Sequence, residues 1–397
     1  MLALRKKRMA NTHPFLRGGF RPFFFGAATW AVIALTLWLC ELAGKITVPS
    51  GFDGVAWHRH EMLFGFVGAA VAGFLLTAIP NWTGRLPIAG KPLLTLFAWW
   101  AAARIAVLTS ALSGFWPAAI LDVGLFLSLA MLAAREVIAT NNRNFPIVGM
   151  VFAFGVADAA DYAGSAGVIP TDLGWRSAVA LMTIMISMIG GRIIPSFTRN
   201  WMVKRRVPAT QLPTQPQALD LLVIASTAMA LLFWLIFPNN WLTGIVLMLA
   251  AGSQLMRQYR WGGHRTGSDP LVLVLHLGYI WLPVGLLLLG LSIAGRDIPA
   301  SAGVHALTAG GMTTMILAVM TRASLGHTAR ELRAAPTTVA AYVCVTFGAV
   351  LRVAASLGLG PYGIMLDVAG AFWGLALILF LVVYGPILWQ PRLGEQH

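Results

Sequence analysis

The chain has 397 residues, of which 58% are hydrophobic and only 11% charged, and it carries a formal charge of +14 at neutral pH. Its apolar residues come in runs of about twenty, the length that crosses a bilayer core, and the short connectors between them exclude a set of independent soluble domains. The basic residues lie in those connectors, which excludes nucleic acid as the partner they serve and points to the lipid bilayer.

The expected fold is all-α: a polytopic integral membrane protein of about twelve transmembrane helices. Arg5-Lys6-Lys7-Arg8 opens the chain and no small-residue cleavage site follows cleanly, so this cluster reads as a cytoplasmic anchor rather than part of a removable signal. Spans are then expected at about 23–43, 61–80, 92–111, 115–134, 145–164 and 173–195, and again at about 217–237, 241–259, 270–293, 301–323, 335–357 and 361–389. With the N-terminus inside, 21 of the 28 Lys and Arg fall on the cytoplasmic side, the asymmetry that sets orientation in membranes. An even number of spans puts both termini in the cytoplasm. The stretch 204–216, with Pro208, Pro213 and Pro216, is the longest polar connector. It divides a single membrane domain, 1–397, into two six-helix halves at about 1–203 and 217–397. The inner ends of spans 2, 6 and 10, beginning Ile79-Pro80, Ile194-Pro195 and Met320-Thr321, hint at a repeat, but a shared helix-stop chemistry explains the first two equally well.

Depth sorts the histidines. His58 and His60, in Trp57-His58-Arg59-His60-Glu61-Met62, stand at the outer mouth of span 2, and His305 stands at the outer start of span 10. His327 follows the inner end of span 10, about 33 Å of helix rise from His305, so one metal does not reach both. His276, six residues into span 9, shares the inner side with His13 and His264 and makes a second, inner group conceivable. Imidazoles from different helices at one depth suit iron, copper or zinc, and a haem iron needs only one or two of them. The structural alternative is interfacial, hydrogen-bonded histidine. His58 and His60 are two residues apart and point about 200° away from each other on a regular helix. Either the helix starts after them and both reach inward, or each faces a different partner. Glu61 is either a second-layer acceptor for an imidazole or a favourable charge at a helix start.

Arginine is costly in hydrocarbon and marks a cavity or an anionic partner. Arg104, Arg192 and Arg352 qualify, and Arg192 follows Gly190-Gly191, which admits either another helix or a planar cofactor. A haem propionate is one partner for it, and Asp122, Asp158, Asp161 or Asp367 is an internal alternative. Met182, Met185 and Met188, with Met312 and Met315, read first as packing, as do Cys40 and Cys344. No Cys-X-X-Cys-His attachment site occurs, so any haem is non-covalent and of b type.

Taken together, His13-Pro14-Phe15 with Arg21-Pro22-Phe23-Phe24, then Trp57-His58-Arg59-His60-Glu61-Met62-Leu63-Phe64-Gly65-Phe66, then Gly191-Arg192-Ile193-Ile194-Pro195-Ser196-Phe197-Thr198, and His305-Ala306-Leu307-Thr308 with Gly326-His327-Thr328-Ala329-Arg330 resemble the NnrS family over nearly the whole chain. The resemblance implies a bacterial inner-membrane protein that carries haem and copper and acts in the response to nitric oxide, often beside denitrification. It implies metal ligands among His58, His60, His305, His13, His276 and His327, with Arg59, Glu61, Arg192 and Arg322 as cofactor-binding candidates. A more distant architectural likeness is to the haem-copper oxidase core, although spans 6 and 7 here carry no histidine for that family's copper site.

The expected function is a membrane haem and copper protein that binds nitric oxide or helps detoxify it, with an electron donor as a further partner if the chemistry is oxidoreductive. Turnover itself is left open by the resemblance. The alternative is a transporter or delivery protein for copper, haem or a small solute, in which Gly190-Gly191 and Gly310-Gly311 act as gates.

Overall fold

Where water is absent, every backbone N–H and C=O must find its partner within the segment, so apolar runs of this length become helices. The computed structural model describes residues 12–214 and 217–394, and the anchor Arg5-Lys6-Lys7-Arg8 and Pro216 lie outside them. Its long helices are α1 (Phe20–Leu42), α2 (Gly54–Thr83), α3 (Lys91–Leu108), α4 (Phe115–Ile138), α5 (Phe145–Ser165) and α6 (Leu173–Lys204). They continue as α7 (Ala218–Ile236), α8 (Trp241–Tyr259), α9 (Pro270–Ile293), α10 (Ala300–His327), α11 (Pro336–Ser356) and α12 (Tyr362–Trp389). The protein is a multi-pass, all-α membrane protein. Side chains such as Ile105, Leu112, Ile120, Leu249 and Val382 are exposed on helix faces, as a surface made for acyl chains requires.

Of these helices, eleven are long and apolar enough to cross a bilayer. The twelfth, α8, has the length but turns Thr243, Gln254, Arg257 and Gln258 inward while Leu249, Leu255 and Met256 face outward. Its modest hydropathy therefore comes from a buried polar face, not from a wet one.

The helix ends differ from the expected spans at three places that matter. Asp53 caps α2 by accepting from Ala56 N at 2.9 Å, so the helix starts at Gly54 and takes His58 and His60 into its body rather than leaving them at its mouth. Pro80 and Pro195 do not stop their helices, and α6 continues to Lys204. His327, expected beyond the end of its span, is the last residue of α10. Two helices also change their winding. Glu61–Val67 in α2 and Ala306–Met312 in α10 are π-helical, and each begins one residue after a histidine, His60 and His305 respectively. Such widened turns expend backbone regularity and concentrate at functional sites.

Two compact units divide the chain. The first comprises Met1–Ala178, Met320–Glu331 and Leu377–His397, and the second Val179–Val319 and Leu332–Ala376. The connector 204–216 thus lies inside the second unit. In the first, α2 is buried almost all round by its neighbours. There the guanidinium of Arg21 donates to the carbonyls of Leu388 and Gln390 at 2.8 and 2.6 Å, and Phe15 stacks on Trp389 at 4.1 Å. The N-terminal motif thereby ties down the end of α12.

In the second unit Gly191 lies against Arg257, where an added Cβ would come within 1.9 Å of the guanidinium, and Gly190 lies against the Tyr279 ring. Gly310 receives Trp281 in the same way. These glycines admit neighbouring side chains, as close helix packing requires. Met182, Met185, Met312 and Met315 are buried, and Met315 fills the space beside Gly278.

Candidate metal centre

Four helices of the first unit bring charged side chains to one buried place. His60 and Glu61 come from α2, Arg104 from the last turns of α3, Asp122 from the second turn of α4, and Asp158 and Asp161 from one face of α5. All six are at most 1% exposed. The imidazole of His60 is held at both nitrogens, with Nδ1 3.1 Å from Asp161 Oδ2 and Nε2 2.9 Å from Asp122 Oδ2 and 3.9 Å from Asp158 Oδ1. Arg104 donates to Glu61 Oε2 at 2.9 Å and, through its other terminal nitrogen, to Asp122 Oδ1. Trp30 of α1 donates its indole N–H to Glu61 Oε2. Arg59 reaches Asp161 Oδ1 at 3.3 Å.

Local sequence makes this geometry affordable. Gly65 leaves room for Glu61 and Trp30, since a Cβ there would lie 2.5 Å from Glu61 Oε2 and 2.7 Å from Trp30 Nε1. Gly174, at the start of α6, lies against the backbone of Asp161, which a Cβ would approach to 2.2 Å. Phe52 stacks on the His60 ring at 4.6 Å, and Phe64 and Tyr162 stand 5.0 Å from it. Aromatic walls exclude water and raise the strength of every charge interaction inside.

Among the described residues one group of three ligating side chains has donor atoms all within 4.8 Å of one another, namely His60, Asp122 and Asp158. A single imidazole with carboxylates suits a divalent first-row cation better than a soft cuprous ion. As a haem ligand His60 fits poorly, because its Nε2 faces carboxylate oxygens rather than an open plane.

The other expected ligands have other surroundings. His58 stacks on Trp38 of α1 at 4.8 Å, so the two histidines of the motif do face different partners. His13, exposed, accepts from Phe15 N at 3.3 Å, and His327, also exposed, lies 5.4 Å from the Phe20 ring. In the second unit His276 is buried, with Nε2 2.9 Å from Thr198 Oγ1 and Nδ1 against Gly263. His305 is half-buried, and its Nδ1 lies 2.7 Å from the carbonyl of Ser301, one turn earlier in α10. Arg192 is exposed and Arg322 half-buried.

Sorting by depth found the histidines but not the acids. By sequence Arg104 is an arginine in need of a cavity or an anionic partner and Asp122, Asp158 and Asp161 are internal counter-charges for an arginine, and their positions in alternating antiparallel spans put all four at one end of the bundle. That shared depth was the signal.

Fold and site together define a polytopic α-helical membrane protein with a buried ion-pair network able to hold a metal. The family model described as NnrS protein matches residues 14–392, and the chain belongs to the NnrS family. No curated protein matches it.

Proposed function

We propose that this chain is a bacterial inner-membrane haem protein that binds nitric oxide, or helps remove it, with His305 as an axial ligand. Family membership supports the link to nitric oxide. The observation that carries the haem assignment is the hydrogen bond from His305 to Ser301 O. With its proton donated from Nδ1, the ring keeps a lone pair on Nε2 and a fixed orientation, the state in which a histidine ligates iron. The π-helical turn that starts at Ala306 widens the backbone directly behind it.

Haem, when bound, supplies an iron position that a diatomic gas occupies. The chain's part is to orient the ligand, exclude water and offer cationic neighbours. Arg352 of α11 acts electrostatically on the His305 ring and is a partner for an anionic haem substituent. Nitric oxide, being small and apolar, arrives through the lipid without a polar channel. Copper belongs to the same proposal as the second metal that the resemblance implies. The transporter reading drew on Gly190-Gly191 and Gly310-Gly311 as gates, and the side chains packed against those glycines weigh against it.

The test is absorption spectroscopy of the full chain, purified in mild detergent after expression with haem supplied. A Soret band that shifts with nitric oxide is expected for the wild type, and His305→Ala should lose it while eluting as the same monodisperse species. A full band in His305→Ala would sink the assignment.

A further inference from the structure

The His60 network has a feature that ion pairing alone leaves unexplained. Asp158 is fully buried, yet neither of its carboxylate oxygens has a hydrogen-bond partner, and Oδ1 points to His60 Nε2 across 3.9 Å. A carboxylate so placed is strongly disfavoured in a low-dielectric interior unless it takes up a proton or a cation meets it.

Charge leads to the same conclusion. Glu61, Asp122, Asp158 and Asp161 bring four negative charges when ionised, whereas Arg59 and Arg104 bring two positive ones. One divalent cation makes the assembly neutral. Stereochemistry agrees as well. With the proton of His60 on Nδ1 and donated to Asp161, Nε2 directs its lone pair at Asp122 Oδ2, 2.9 Å away, an arrangement that is repulsive until an ion lies between them. At metal–donor bonds of about 2.1 Å, two donors stand about 3.0 Å apart at right angles and about 3.4 Å apart at the tetrahedral angle, and the observed 2.9 and 3.9 Å lie on either side of these.

We infer that His60 Nε2, Asp122 and Asp158 form a non-haem site for a divalent cation of the zinc or ferrous class, with Asp161 orienting the imidazole and Arg104 holding the far oxygen of Asp122. The site lies wholly within the first unit and does not depend on the His305 assignment. A carboxylate behind the imidazole fixes its tautomer and raises its basicity toward the ion, which is the usual support of a histidine ligand. Glu61, held by Trp30 and Arg104, is a positioning residue here rather than a ligand.

The experiment uses the full chain in detergent, stripped with a chelator and titrated with zinc alone, with bound zinc measured by elemental analysis and stability by thermal melting. About one ion per chain and a raised melting temperature are expected. Asp158→Asn keeps the shape and breaks no hydrogen bond, so it should fold, and its zinc affinity should fall at least tenfold while its haem content stays that of the wild type. His305→Ala should keep the zinc, so failure of the haem reading is distinguishable from failure of this one. Wild-type protein that takes up no zinc, or Asp158→Asn that binds it equally well, overturns the site and leaves His60 as an imidazolium shared by Asp122 and Asp161.

Discussion

Arg104 shows what a single charge does at this depth. It is 1% exposed and satisfies Glu61 and Asp122 together, so removing it leaves two buried carboxylates without their counter-charge. Breaking one side of a buried pair costs about 3–5 kcal/mol, so Arg104→Met is expected to destabilise the protein by an amount of that order, seen as a lower melting temperature in detergent. The control is Arg135→Ala. Arg135 is 70% exposed beside Glu136, and surface pairs contribute about 0–1 kcal/mol. Equal melting of the two variants would mean that the buried network bears no stability. Gly65→Ala is a finer probe at the same scale, because its methyl group enters the space of the Trp30–Glu61 hydrogen bond. Tryptophan fluorescence should report the displaced indole, and an unchanged spectrum would contradict the contact.

Two of the helices combine a histidine with a following π-helical segment, and winding decides where that histidine points. Inserting one alanine after Val67 adds a residue that the already widened segment does not absorb and would turn His60 by about 100° relative to the rest of α2. The expected result is loss of zinc uptake with helix content retained, measured by elemental analysis beside far-ultraviolet circular dichroism. Undiminished uptake would show that the segment has no part in aiming His60. Helix α8 teaches a related lesson. Gln254 donates to Ser187 and Thr227 at 2.7 and 2.9 Å, Arg257 donates to Asp220 at 2.8 Å, and Tyr279 donates to Gln254 at 2.6 Å. Gln254 and Arg257, which lower the apolar count of α8, are satisfied by neighbouring helices, which is how a polar face is accommodated inside a bundle.

For the whole molecule the charge asymmetry predicts an orientation that labelling tests. In a background with Cys40 and Cys344 replaced, a single cysteine at Thr210 should react with a membrane-impermeant maleimide only in inside-out vesicles, and one at Lys45 only in right-side-out cells. The reverse pattern would invert the assignment of both termini, and with it the statement that His60 and His305 lie toward the outer side.

Length, apolar content and basic connectors were enough to place twelve helices, nearly all within a few residues of their observed ends. Span length is set by bilayer thickness, and backbone hydrogen bonding in hydrocarbon is local. The sequence also sets His58, His60 and His305 apart as an outer group and His13, His276 and His327 as an inner one, through motifs that resemble the family to which the chain belongs. It left open whether His58 and His60 share a partner, because that depends on where α2 begins, and Asp53 decides it from outside the apolar run. The cluster around His60 shows in the sequence only as a shared depth, because its members come from four helices and lie up to 101 residues apart, between His60 and Asp161. Each acid by itself looks like an isolated charge in an apolar span. Only tertiary packing brings them within hydrogen-bonding distance, and only there does the unpartnered carboxylate of Asp158 become visible, because being without a partner is a property of surroundings rather than of a residue.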